Sequence, residues 1–270
     1  MSRSKPIGLF DSGFGGLTVM RQVAKLLPHE NLIYLGDTAH LPYGTKSPEA
    51  VVSYALENAA FLMEKEIKLL IIPCHTACCH AISLLQEQLP IPVIGVIEPG
   101  LNLLKKIERI GVLGTTSTIK SGLYQTLIKK QNPKAEILAK ACPLFVPLIE
   151  EGFYNHPSMD LIAESYLAPL KGQIDAALLA CTHYPLILPA LQKILGPQVA
   201  LIEPAEQCAI QAKNYLSTAG LLNLEKKKPT YEFFATDDPE KFQKLGEIFL
   251  GSLIERVEKK QVFMKLFQMR

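Results

Sequence analysis

Tryptophan is absent from the 270 residues, and aromatic side chains make up only 7% of them. Charge is nearly balanced, with 28 Lys and Arg against 26 Asp and Glu and a net charge of +2. With no basic stripe and no aromatics set between positive charges, the chain does not read as a nucleic-acid binder. No apolar run approaches the ~20 residues that a membrane-spanning helix needs. The short apolar segment before Asp11 lacks the core of a secretory signal, so a cytoplasmic location is expected. In that setting the six cysteines read as reduced thiols rather than as a disulfide framework.

What is present is an alternation of short apolar runs with helix-length amphipathic segments, the pattern of parallel sheets flanked by helices. The runs predict strands at residues 6–10, 31–35, 69–73, 93–97, 109–113, 135–139, 176–180 and 199–202. Helices are predicted at 18–27, 47–66, 77–88, 121–130, 157–170 and 186–195. Three landmarks then repeat in the same order. PIGLFDSGFGG is echoed by RIGVLGTTST with Gly8 and Gly111 103 residues apart. LLIIPCHT is echoed by ALLACTHY with Cys74 and Cys181 107 apart, and VIGVIEPG by VALIEPAE with Glu98 and Glu203 105 apart. A duplicated α/β unit accounts for this. The expected fold is therefore α/β with two pseudo-symmetric lobes, each a mostly parallel sheet flanked by helices. Residues 1–98 plus 209–270 form the first lobe and 99–208 the second. A connector beginning at Lys226 leads to a strand at 231–236 and a helix at 241–250. Asp11, Cys74, Thr115 and Cys181 all fall at strand C-termini, where open parallel sheets bind ligands, so the site is expected in the cleft between lobes.

The segment IIPCHTACCH at 71–80 holds three cysteines and two histidines. It contains no C-x-x-C pair, and adjacent Cys78 and Cys79 point to different sides of a helix, which disfavours a metal site. Cys78, Cys79, Cys142 and Cys208 read as small apolar filler. Cys74 and Cys181 differ because their setting repeats: each ends a buried strand beside a hydroxyl and an imidazole, His75-Thr76 and Thr182-His183. A following helix N-terminus would lower a thiol pKa from about 8.5 toward neutrality. Two equivalent thiols facing one ligand form a mirror-image acid/base pair. Such a pair suits inversion of a stereocentre, with a base on one face of Cα and an acid on the other.

The segments PIGLFDSGFGGLTV, GDTAHLPYGTKS, Cys74-x-Thr76, VIEPG, PLFVPLIEEG, LACTHYP and TDDPEKF occur in this order. Together they resemble the cofactor-independent glutamate racemases, from residue 6 to past 200. The resemblance implies interconversion of L- and D-glutamate for peptidoglycan synthesis, without a cofactor or metal, by a protein commonly homodimeric. It implies that Cys74 and Cys181 are the catalytic acid/bases, with Asp11 beside the substrate ammonium and Cys74. His183 would assist Cys181, and Glu150 would tune that side. Ser12, Pro42, Tyr43, Gly44, Thr76 and Thr182 would line the site or hold carboxylates. Asp37 lies in a matching motif and fits a structural role as well. Gly13, Gly15 and Gly16 read as ordinary turn glycines, and His29, His40, His80 and His156 as surface or helix residues.

Two positions depart from the family pattern. Glu203–Gln207 reads EPAEQ where an Asp-Ser segment is usual, and His75 stands where the family usually has Asn. Histidine can donate a hydrogen bond as the amide does, but it is bulkier and titrates near neutrality. The expectation is that His75 keeps the substrate-carboxylate contact and shifts the pH optimum. The residues leave open an aspartate racemase and an amino-acid-binding or regulatory protein of the same fold, while the two retained cysteines speak against a one-cysteine decarboxylase.

Overall fold

A computed structural model describes residues 2–225 and 227–262. Lys226, expected to open the connector, and residues 263–270 of the expected first lobe lie outside that range.

The chain opens with β1 (Ile7–Asp11), α1 (Leu17–Leu26), β2 (Leu32–Gly36), α2 (Pro48–Glu64) and β3 (Leu69–Ile72). It continues through α3 (His75–Gln88), β4 (Val93–Gly95) and α4 (Ile97–Leu101). A second run follows with β5 (Arg109–Gly114), α5 (Thr116–Lys120), α6 (Leu123–Gln131), β6 (Glu136–Ala141) and α7 (Phe145–Glu150). Then come α8 (Pro157–Leu167), β7 (Ala176–Ala180), α9 (Leu188–Leu195) and β8 (Ala200–Ile202). The last part holds α10 (Ala205–Thr218), β9 (Tyr231–Ala235), α11 (Pro239–Leu250) and β10 (Glu258–Lys259).

Among the described residues these strands form two sheets, and every pairing in both is parallel. The larger runs β10-β9-β2-β1-β3-β4 and the smaller β6-β5-β7-β8. The order β2-β1-β3-β4 matches β6-β5-β7-β8 strand for strand, so the repeat seen in sequence is also a repeat of topology. The central strands are sealed by helices on both faces. Every residue of β1, β3 and β7 is buried, which is why they read as unbroken apolar runs instead of alternating ones. Edge strand β6, EILAKA, keeps partial exposure along its length.

Local chemistry sets the helix starts. Ser47 accepts from the Ala50 N–H at 3.3 Å with Pro48 in the first turn of α2. Asp238 does the same for Lys241 N–H at 2.9 Å, followed by Pro239. The helix α3 begins at His75 rather than at residue 77, because Cys74 itself caps it. Short α4, α5 and α7 were not expected, and neither was α10. The latter runs unbroken through the expected boundary at 208/209 and packs against α1, beside the larger sheet. The two repeated E-P landmarks also meet. A Cβ on Gly100 would lie 2.9 Å from Pro204 Cβ, too close for any larger residue without a shift. This contact brings the C-terminal ends of β4 and β8 together and orients the strand ends of both sheets toward each other.

Candidate active site

The sharp turn after each central strand places one thiol. Cys74 follows β3, and its Sγ accepts from the Ala77 N–H at 3.4 Å at the start of α3. Cys181 follows β7 and leads into a single tight turn at Tyr184–Ile187 before α9. Both are buried, and both line one cavity of about 20 Å³ between the sheets. Ser12, Pro42, Tyr43, Gly44, His75 and Thr76 bound it from the side of the larger sheet. Thr182 and His183 bound it from the other. Asp11 and Glu150 stand one layer behind, each against one half of the pair. Thr115, expected at the cleft from its strand-end position, also lines it, and so does Val146, which the sequence did not single out.

The two halves carry different charges. On the Cys181 side, His183 Nε2 lies 3.0 Å from Glu150 Oε1, and its Nδ1 lies 3.9 Å from Cys181 Sγ. Burial alone would lower the His183 pKa, but its bonds to Cys181 and Glu150 outweigh this and hold it up at about 10. At neutral pH this ring is therefore an imidazolium between a carboxylate and a thiol. On the Cys74 side, Asp11 is completely buried. Its Oδ2 accepts from the N–H groups of Gly13 at 3.3 Å and Gly16 at 3.0 Å, while Oδ1 has no hydrogen-bond partner among the described residues. Burial raises the Asp11 pKa, opposed by the positive His183 and the two N–H groups. The helix start does not depress the Cys74 thiol as expected. Burial first, and then the Asp11 carboxylate, push it far above the ordinary thiol range, and the Ala77 N–H offsets only part of this.

His75 also departs from expectation. Its ring is buried and its Nδ1 lies 2.5 Å from the Tyr124 hydroxyl of α6, across the cleft. Burial drives its pKa down to about 3, so the ring is neutral throughout the physiological range and does not titrate near pH 7. Thr76 likewise reaches across, with Oγ1 3.0 Å from both Thr115 Oγ1 and Thr118 Oγ1. His80 Nε2 meets Ser117 Oγ at 2.9 Å. One end of α3 is thus stitched to α5 and α6 by hydroxyl and imidazole groups. The glycine turn is not neutral filler either. A Cβ on Gly15 would run into Thr182 Oγ1 and come within 2.7 Å of His183 Nδ1, so the turn after β1 abuts the Cys181 half.

Asp37 has its carboxylate fully engaged. It accepts from the Tyr43 hydroxyl, from Thr236 Oγ1 at 2.8 Å, and pairs with His40 Nδ1 at 2.9 Å. It therefore acts on the cleft through Tyr43, which it holds against the wall. The remaining cysteines pack as filler: Cys78 Sγ donates to the Ile72 carbonyl at 3.2 Å, and Cys142 and Cys208 are buried.

Comparison with known proteins agrees with this geometry. Residues 7–212 match the family model of Asp/Glu/hydantoin racemases. The chain is 45% identical to a glutamate racemase of Geobacter metallireducens over 92% of this chain and 93% of that one. The crystal structure of glutamate racemase from Francisella tularensis in complex with D-glutamate superimposes with a TM-score of 0.92 at 40% identity. That match covers 96% of this chain and 98% of that one. An aspartate racemase of Picrophilus torridus, 18% identical with a TM-score of 0.55 over 82% of this chain and 96% of that one, shares the fold. Built on two sheets of one strand order with a thiol at each equivalent strand end, the chain belongs to the Asp/Glu/hydantoin racemase family.

Proposed function

We propose that the protein interconverts L- and D-glutamate, with Cys74 and Cys181 as the two acid/bases on opposite faces of Cα. The observation that carries this is the single cavity bounded by both thiols, one from each repeat. A thiolate on one side removes the Cα proton, forming an S–H bond as the C–H bond breaks. The electron pair left on carbon delocalises into the carboxylate. The opposite thiol then delivers its proton to the other face, leaving the inverted amino acid and a thiolate in its place. In the reverse direction the roles exchange.

The surroundings fit these roles. The His183 imidazolium, backed by Glu150, lies beside Cys181 on that side of the cavity. Asp11 offers its unpartnered Oδ1 to a substrate ammonium beside Cys74. Ser12, His75, Thr76 and Thr182 supply hydrogen-bond donors for carboxylates, whose charge grows as the carbanion forms. Pro42, Tyr43 and Gly44 shape the wall. A cavity of about 20 Å³ has room for roughly one water and not for an amino acid. On this reading, substrate enters as the lobes part along the contacts between α3 and α5–α6.

Glutamate is preferred to aspartate because the relatives with near-complete coverage are glutamate racemases. The same reading makes the protein a cytoplasmic homodimer that provides D-glutamate for peptidoglycan. Among the described residues no helix is long and apolar enough to cross a membrane, and all six cysteines are free. Circular dichroism of purified protein with either glutamate enantiomer, without added cofactor, tests the activity. Loss of optical activity from both supports the reading. Racemisation of aspartate alone, or of neither, overturns it. Light scattering tests the dimer.

A further inference from the structure

The buried contact between His75 and Tyr124 has a direction. Tyr124 is completely buried, and among the described residues its hydroxyl has one hydrogen-bond partner, His75 Nδ1 at 2.5 Å. If Nδ1 carried the proton and donated to the tyrosine oxygen, the tyrosine O–H would be left buried with no acceptor, an arrangement that folded proteins avoid. The satisfied arrangement has Tyr124 donating to a bare Nδ1. A neutral imidazole holds one proton, so Nε2 then carries it. Nε2 has no hydrogen-bond partner among the described residues, yet it is not one of the sealed unpartnered atoms, so it still meets open space. The ring lines the cavity between the two thiols, next to Cys74, and a smaller one of about 10 Å³ bounded by Cys181, Thr182 and Glu203.

We infer that Tyr124 is a positioning residue: by donating to Nδ1 it locks neutral His75 in the Nε2–H tautomer, so that the imidazole presents a fixed donor to a substrate carboxylate. The carboxylate part of this inference rests on the proposed racemase reading; the tautomer does not. The consequence is that a histidine replaces an amide donor without bringing in a titrating charge. Burial, which holds the ring pKa near 3, keeps the donor uncharged when the cleft is closed. Tyr124 comes from the second lobe, so the donor is correctly set only when the lobes are together. Opening the cleft frees the ring to take either tautomer.

The tautomer can be read directly. Long-range ¹H–¹⁵N correlation on the unmodified, ligand-free protein, with the His75 signals assigned by their loss in His75→Asn, is expected to show protonated Nε2 and unprotonated Nδ1. A protonated Nδ1 overturns the inference, whether or not the protein proves to be a racemase. The functional half is a double-mutant cycle. With His75 present, Tyr124→Phe is expected to raise KM for glutamate about tenfold with a smaller change in kcat, as for partial loss of a hydrogen bond to a charged group. In the His75→Asn background the same substitution is expected to change KM less than about twofold, because no tautomer remains to be set. Equal KM effects in both backgrounds would make Tyr124 a packing residue and overturn the positioning role. Failure of the unmodified protein to racemise glutamate would remove the carboxylate assignment and leave the NMR result to decide the tautomer.

Discussion

Cys74 and Cys181 stand at equivalent points of two sheets with the same strand order, yet their neighbours carry opposite charge. Cys181 faces an imidazolium that Glu150 holds in place, whereas Cys74 faces a buried carboxylate. The backbone differs as well, since Cys74 caps an α-helix of fourteen residues and Cys181 leads into one tight turn. The two halves thus share geometry and differ in electrostatics. To begin an inversion, the proposed mechanism needs one sulfur charged and the other protonated.

The largest test of this contrast is removal of each thiol. Cys74→Ala and Cys181→Ala should each lower racemisation by about 10²–10⁴-fold, the range for loss of a positioned acid or base. Each variant should still exchange the Cα hydrogen with deuterated solvent, but for opposite enantiomers. Exchange of the same enantiomer by both variants, followed by NMR, would break the two-sided picture.

Next in size is His183→Asn, expected to lower kcat/KM on the order of 10²-fold. The loss should be equal in both directions, because the equilibrium constant of a racemisation is one. In the unmodified protein His183 loses its proton as pH rises through about 10, so activity should fall on that alkaline side. Glu150→Gln removes one of the groups that raise this pKa. It should therefore move the alkaline limb to lower pH, with a milder loss of about tenfold at neutrality. An unmoved limb in the kcat/KM profile would detach Glu150 from the Cys181 half.

The last test reads stability instead of rate, on the Cys74 side. The folded pKa of His75, about 3, lies below the ordinary value of 6.5, so between these limits the unfolded chain binds more protons. Stability should then fall as pH drops from 6.5 toward 3, by on the order of 3 kcal/mol at pH 4 from this group. His75→Asn should remove that part of the acid sensitivity. Urea unfolding of both proteins at pH 7 and pH 4 measures it, and identical pH dependence would show that His75 is not the group responsible.

Much of the fold was legible because buried parallel strands advertise themselves. The run at 176–180 and the observed β7 coincide, and the other predicted strands fall within two residues at most of their observed starts. The repeat was legible too, since strand-end turns demand particular residues at fixed places. Short α5 and α7 were not, because five or six residues carry no amphipathic period to read. Within the candidate site, Cys74, Cys181 and His183 stood out through repetition and resemblance. Tyr124 could not, for it sits in an ordinary amphipathic helix and matters only through a partner 49 residues away. Lys68 gave no signal either. It reads as a surface residue before a strand, yet it is buried with Nζ 2.5 Å from Glu30 Oε2 and donates to the carbonyls of Arg3 and Leu221. Charge signs were the hardest to foresee. Burial, not residue type, keeps His75 neutral, while partners keep His183 cationic.

The near-absence of free volume between the thiols gives the cleft a memory. On the proposed mechanism a proton taken from Cα would arrive on sulfur in this narrow space, with little access to bulk solvent while the lobes remain together. On the proposed two-thiol mechanism the sulfurs exchange protonation at each inversion, so the departing product would leave a cleft set for the return reaction. On that mechanism, opening would release product and also let solvent reset the protonation of the two sulfurs. The opening of the lobes is in this sense a protonation step as much as a binding step.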